Sequence, residues 1–203
     1  MHSTFRGIGL AFTNLFLATC YVFFAYANLQ SFFENPRLSV LLIVVAETIV
    51  ALFLVIRRDP DETWHSWKTW LTTTCGTLAP LLLRPVEAAE DLMVGEVLLV
   101  IGFAIQILAI ASLNRSFGLL PALRGVKSSG LYSWVRHPLY SAYVIFFIGY
   151  WINNQSLANA AVGVFGIAFL VMRIYLEEAF LTRQSAYRQY RDRTRWRLIP
   201  AVW

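Results

Sequence analysis

Charge is scarce in this chain. Only 14% of its 203 residues are Asp, Glu, Lys or Arg, and 58% are apolar. A soluble domain averages about 25% charged and about 45–50% apolar residues. So little charge cannot cover a water-soluble fold of this size, and the apolar excess is expected to face lipid. Cysteine is almost missing. Cys20 and Cys75 both sit inside apolar runs, which excludes a disulfide framework and leaves them as membrane-embedded packing residues. The three histidines, His2, His65 and His137, are too scattered for zinc ligation, so no metal is expected. There is no repeat and no low-complexity tract, and the length leaves no room for a second domain. The net charge of +5 points to basic loops facing anionic membrane lipid, with no nucleic-acid partner.

What is abundant is long apolar segments. Roughly 20 apolar residues cross the hydrocarbon core as a helix. Ile8–Leu29, Leu38–Ile56, Leu92–Leu113 and Leu157–Leu176 meet that length. The first is longer than a signal-peptide core and has no clear small-residue cleavage site, so it reads as a retained helix. Two further runs are short. Trp70–Leu83 contains Gly76 and Pro80, and Leu139–Ile152 follows Pro138, which suits a first helical position. Asn153-Asn154-Gln155-Ser156 reads as a tight turn between the last two helices. The expected fold class is all-α: a polytopic membrane helical bundle of about six transmembrane helices, the last two a hairpin, forming one domain.

Six crossings put both termini on one side, and the basic residues test this. With the C-terminus cytoplasmic, the inner segments collect Arg6, Arg57, Arg58, Lys68, Arg115, Arg124, Lys127, Arg136 and the six arginines from Arg183 to Arg197. The outer loops keep Arg37 and Arg84, and Arg173 lies within a helix. That asymmetry predicts cytoplasmic termini. Trp64, Trp67 and Trp70, three residues apart, read as an interfacial belt.

Polar residues concentrate in two places. The first is Asn114–Tyr140, NRSFGLLPALRGVKSSGLYSWVRHPLY. Long connections inside a small bundle are disproportionately functional. Its glycines permit close approach of backbone to a ligand, its basic residues attract a carboxylate, and its aromatic rings offer stacking faces. Arg136-His137-Pro138 leads into a helix start, which favours an anionic group. The plain alternative is a lipid-facing basic loop. The second place is Arg173-Ile-Tyr-Leu-Glu177-Glu178. Arg173 and Glu177 share a helical face and can pair. Two adjacent glutamates near a helix C-terminus oppose the macrodipole, a local cost that hints at a use; a solvated ion pair is the alternative. Glu47, mid-span, is a functional candidate by default. At about 15 Å from Arg57 it reads as too deep for the chemistry and more in keeping with a protonated or hydrogen-bonded packing role. Glu96 and Gln106 are ambiguous in the same way. The arginine-rich tail, with Phe180, Leu181, Tyr187, Tyr190 and Trp196, predicts a broken amphipathic helix on the membrane surface, able to close over a pocket made by the loop.

Together the two clusters carry a family resemblance. Gly130–Tyr140, GLYSWVRHPLY, resembles the G-x-Y-x-x-x-R-H-P-x-Y signature of isoprenylcysteine carboxyl methyltransferases. Arg173…Glu177-Glu178…Leu181…Tyr187…Tyr190…Pro200 is similar to that family's R-x-x-x-E-E…L…Y-x-x-Y…P ending. Phospholipid N-methyltransferases, in the same wider superfamily, share the glutamate pair. The similarity covers roughly Asn114–Pro200, so residues 1–113 read as membrane spans and 114–203 as a catalytic half. Ser185-Ala186 stand where the family often has Phe-Gly.

The resemblance implies an integral membrane methyltransferase binding S-adenosylmethionine at its cytosolic face. It implies that Tyr132, His137, Pro138, Leu139 and Tyr140 line the cofactor site, with Arg124, Gly125, Val126 and Lys127 as a preceding strip. Glu177 falls on the cofactor-binding glutamate, Glu178 beside it, and Arg173 on the substrate-contacting arginine. A sulfonium methyl is already electrophilic, so transfer needs mainly proximity and alignment. A carboxylate attacks it without a base, whereas an amine or thiol must first lose a proton, and no Cys/His or Ser/His dyad stands at a cytosolic boundary. The expected acceptor is therefore a lipophilic small molecule or prenylated substrate with an acidic or spontaneously nucleophilic group, set among membrane lipid. A phospholipid or other lipophilic amine or thiol is the rival, and a small transporter the non-enzyme alternative. The location implied is the bacterial inner membrane, or the endoplasmic reticulum of a eukaryote.

Overall fold

The computed structural model describes residues 2–56, 62–63, 66–86, 91–113, 116, 118, 120, 122–123 and 125–203. Of the residues singled out above, Arg57, Arg58, Trp64, His65, Asn114, Arg115 and Arg124 lie outside this set. The chain is helical: α1 (His2–Glu34), α2 (Leu38–Ile56), α3 (Trp67–Leu78), α4 (Met93–Leu113), α5 (Pro138–Asn153), α6 (Leu157–Leu181) and α7 (Ser185–Arg193). One small element was not foreseen. β1 (Glu62–Thr63) pairs antiparallel with β2 (Ala122–Leu123), Glu62 opposite Leu123, tying the α2–α3 connection to the long polar loop.

Among the described residues, three helices are long and apolar enough to cross a membrane: Leu15–Glu34 of α1, all of α4 and all of α6. α4 is apolar all round, and only 33% of its most apolar stretch is buried inside the protein. Met93, Val94, Leu157 and Val164 stand exposed, as side chains facing lipid do. This fits an integral membrane protein. α2 is apolar but shorter. α3, at 12 residues, and α5, at 16, span about 18 and 24 Å at helical rise, less than the roughly 30 Å hydrocarbon core. α3 stops early because Pro80 has no N–H to continue the ladder, and the chain tightens into a 3-10 turn over Ala79–Leu82.

α4 packs most extensively on α5, α1 on α2, and α3 on α6. The α4–α5 contact is a backbone-on-backbone approach. A Cβ on Gly149 would lie 3.0 Å from the Gly95 carbonyl oxygen. Small residues permit such approach where no hydrophobic force drives helices together.

A polar cluster closes one end of the bundle. Buried Arg37, after α1, pairs with Asp91 and donates to the Asn153 carbonyl at 2.9 Å and to Asn154 Oδ1 at 3.2 Å. Asn159 Nδ2 donates to the Arg84 carbonyl at 2.8 Å. The α1–α2 turn, the segment before α4 and the α5–α6 turn thus meet at one end, while the β pair and the α6–α7 junction occupy the other.

Candidate active site

The site is built around Arg136-His137-Pro138. Pro138 starts α5, where its missing N–H is no loss. The Arg136 and His137 N–H groups donate to the carbonyls of Trp196 and Arg197 at 2.8 and 2.9 Å, so the C-terminal tail is pinned along this segment. The side chains reinforce the join. Arg136 Nε donates to Glu178 Oε1 at 2.7 Å, and its NH1 reaches the Thr194 and Arg195 carbonyls at 2.8 and 2.6 Å. His137 Nε2 lies 3.2 Å from the same glutamate oxygen, and Arg197 Nε donates to Oε2 at 3.0 Å. The Arg197 guanidinium also lies against the Tyr175–Trp203 ring pair, 5.3 Å from each ring centre. A carboxylate this buried is tolerable only when paired and hydrogen-bonded. Glu178 satisfies that condition by joining α6, the helix start and the tail.

Beside this joint lies a cavity of about 1270 Å³ counted out to its open mouth. From the loop come Gly125, Val126, Lys127 and Tyr132; from the start of α5, His137, Leu139 and Tyr140; from α6, Arg173 and Glu177. These are expected site residues, and the fold brings them together. Pro138 and Glu178 do not line the cavity: Pro138 is packed into the helix start, and Glu178 is turned into Arg136, His137 and Arg197.

Tyr140 is the hub of the wall. Its ring stacks parallel to His137 at 5.4 Å, its hydroxyl donates to Glu177 Oε2 at 2.7 Å, and the Arg173 guanidinium lies 5.1 Å from its ring centre. The pairing of Arg173 with Glu177 expected from their spacing therefore has Tyr140 as a shared partner, gripping each by a different part. Arg173 is buried and also directs NH1 towards Thr77 Oγ1 at 3.4 Å.

The tail closes over the loop. Tyr190 donates to the Tyr132 carbonyl at 2.7 Å, and Tyr187 packs edge-on against Tyr190 at 5.7 Å. Tyr187, Tyr190 and Gln184 complete the wall on the tail side. Burial pushes the Tyr132, Tyr187 and Tyr190 phenols above their ordinary range, with Glu177 adding to the effect at Tyr132. They stay neutral at neutral pH, available as hydrogen-bonding groups.

The deep wall comes from the first half of the chain: Tyr21 of α1, Glu47 and Val50 of α2, Gly76 and Thr77 of α3, joined by Tyr143 of α5. Sequence reasoning assigned none of these to the site. The available signal was phase. Glu47 shares a helical stripe with Ile43, Val50 and Leu54, all buried, so it faces the bundle and not lipid.

Residues 91–189 match a family model described as phospholipid methyltransferase. The matched region runs from the residues before α4 into α7 and contains the His137 helix start and both late glutamates. It supports placement in the wider family of membrane methyltransferases, for which S-adenosylmethionine is in general the methyl donor. No curated protein matches the chain.

Proposed function

We propose that the protein is a single-domain integral membrane methyltransferase that uses S-adenosylmethionine at its cytosolic face to methylate a lipophilic acceptor. The observation that carries this reading is the continuity of one cavity from Glu177, His137 and Lys127, under the tail, to Arg173 and the membrane-embedded wall beyond it. The donor set fits the cofactor. Glu177 accepts hydrogen bonds from its amino or hydroxyl groups, Lys127 meets its carboxylate, and the aromatic rings of Tyr132, His137 and Tyr140 offer stacking faces. The cofactor supplies an electrophilic methyl group. The protein's own part is to hold, align and exclude water, and Tyr190 bonded to the loop serves the last.

For the acceptor, the proposal is a carboxylate of isoprenylcysteine type. Arg173, buried where the cavity enters the membrane, is able to hold such a group by two parallel hydrogen bonds. The match to phospholipid methyltransferases favours a second reading, an amine acceptor. We place both termini and the Lys127 loop in the cytoplasm on the charge asymmetry of the loops.

Two measurements test this. The purified protein in nanodiscs is expected to bind S-adenosylmethionine and its demethylated product with comparable affinity by calorimetry; no binding of either overturns the methyltransferase reading. Incubating membranes with methyl-labelled cofactor then identifies the acceptor. A base-labile lipid-soluble label marks an ester, and a base-stable one marks N- or S-methylation.

A further inference from the structure

Glu47 is 6% exposed, in the middle of an apolar helix, and it lines the membrane-embedded end of the cavity beside Tyr21, Thr77 and Tyr143. Its Oε2 is buried and has no hydrogen-bond partner among the described residues. The nearby Tyr21 hydroxyl does not supply one, since it donates to the Thr77 carbonyl at 2.9 Å. A buried polar atom left unmet is destabilising, and acidic side chains inside membrane helices are costly in their own right. Packing alone does not call for one: leucine would continue the stripe of Ile43, Val50 and Leu54 without that cost. The side chain stands on the cavity wall, and a turn of its carboxyl group brings the unmet oxygen to a donor carried by a ligand.

We infer that Glu47 is the recognition group for a hydrogen-bond donor on the methyl acceptor, a hydroxyl or N–H carried on the membrane side of its reacting group. The identity of the ligand as a methyl acceptor rests on the function proposed above. Tyr143 lies within electrostatic reach of both Glu47 and Arg173, and all three line the cavity, so the Glu47 and Arg173 side chains flank one stretch of it. Arg173 meets the acceptor's anionic part and Glu47 a protic group beyond it, before the hydrocarbon begins. Glu47 is thereby a specificity-determining residue. An acceptor whose chain is bare hydrocarbon from the reacting group onward leaves Oε2 unmet and binds more weakly.

The test uses the full chain in nanodiscs saturated with S-adenosylhomocysteine, and three probes sharing a carboxylate: a long-chain fatty acid, its 3-hydroxy analogue and its 3-methoxy analogue. The hydroxy probe is expected to bind about two- to tenfold more tightly than the other two, the range of one net hydrogen bond. Glu47→Leu is expected to abolish that preference and to leave S-adenosylhomocysteine affinity unchanged. Glu47→Gln, which keeps the shape and an acceptor oxygen, guards against misfolding and should retain a reduced preference. Equal binding of hydroxy and methoxy probes by the unaltered protein, no binding of the hydroxy probe, or an intact preference in folded Glu47→Leu overturns the inference. Failure of S-adenosylhomocysteine to bind the unaltered protein instead overturns the methyltransferase reading, and the probe preference remains measurable without it.

Discussion

Glu177 and Glu178 are chain neighbours with opposite surroundings. Glu177 lines the cavity and accepts a hydrogen bond from Tyr140 at 2.7 Å. Glu178, about 100° further round the helix, is turned into Arg136, His137 and Arg197. One residue belongs to the ligand surface and the other to the joint that holds the tail, so their substitutions should separate.

Glu178→Gln removes the anion from a buried cluster and leaves Arg136 and Arg197 without their counter-charge. Breaking a buried pair from one side costs about 3–5 kcal/mol. The loss should appear as undocking of the tail. Brief trypsin treatment is expected to cut after Arg191 and Arg193 faster than in the unaltered protein, with a lower thermal midpoint. An unchanged cleavage rate would show that the backbone bonds to Arg136 and His137 hold the tail unaided.

Glu177→Gln keeps the shape and an oxygen to accept from Tyr140. Stability should therefore change little, while S-adenosylmethionine affinity falls. A lost charge-assisted hydrogen bond of about 1.5–3 kcal/mol corresponds to roughly 10- to 150-fold in affinity. Calorimetry that finds Glu177→Gln binding as tightly as the unaltered protein would remove Glu177 from the cofactor site.

The sequence displayed most of this arrangement and hid a part with a clear physical character. Apolar runs marked the helices because lipid leaves only that solution for their surfaces, and Pro138 marked the start of α5. The division between the two glutamates was not legible: it depends on Arg197 and on tail carbonyls, partners far along the chain that folding alone brings to Arg136. Nor was the deep wall, since Tyr21, Glu47 and Thr77 come from three helices with no local motif. Pro80 was visible, yet its effect, ending α3 at Leu78 in a 3-10 turn, made that element shorter than a span.

Gly95→Ala probes the opposite end. Its Cβ would lie 2.0 Å from Asn153 Oδ1, which accepts from the Leu92 N–H at 3.0 Å. Alanine gains about 1 kcal/mol in helix propensity. Overpacking costs about 1–3 kcal/mol, and the displaced hydrogen bond about 0.5–1.5 kcal/mol more, so the net effect is destabilising. A lower thermal midpoint with unchanged cofactor affinity is expected, because the cavity is at the other end.

Topology is checked by single cysteines in a chain with Cys20 and Cys75 replaced. Glu34, the last residue of α1, and Ser128, in the loop before α5, are both exposed and lie at opposite ends. With 14 of 17 basic residues assigned inside, Glu34→Cys should react with an impermeant thiol reagent in intact cells and Ser128→Cys only after lysis. The reverse pattern would put the cavity mouth away from the cytosolic cofactor pool.

Arg173→Lys separates binding from turnover. The guanidinium sits over the Tyr140 ring at 5.1 Å and reaches towards Thr77, one helical turn from Glu177 and towards the membrane-embedded wall. Its planar fork can orient a carboxylate by two parallel bonds, whereas an ammonium acts as a point charge and fixes no such plane. The lysine variant keeps the positive charge, so cofactor affinity should stay within about threefold, less than the loss of one net hydrogen bond at its mean worth. Turnover should fall by roughly 100-fold, the cost of a small misplacement of the reacting groups. Cofactor affinity comes from calorimetry, and turnover from methyl-label incorporation into the lipid fraction that the unaltered protein labels. Equal proportional losses in affinity and turnover would make Arg173 a packing partner of Tyr140, and loss of neither would remove it from the reaction altogether.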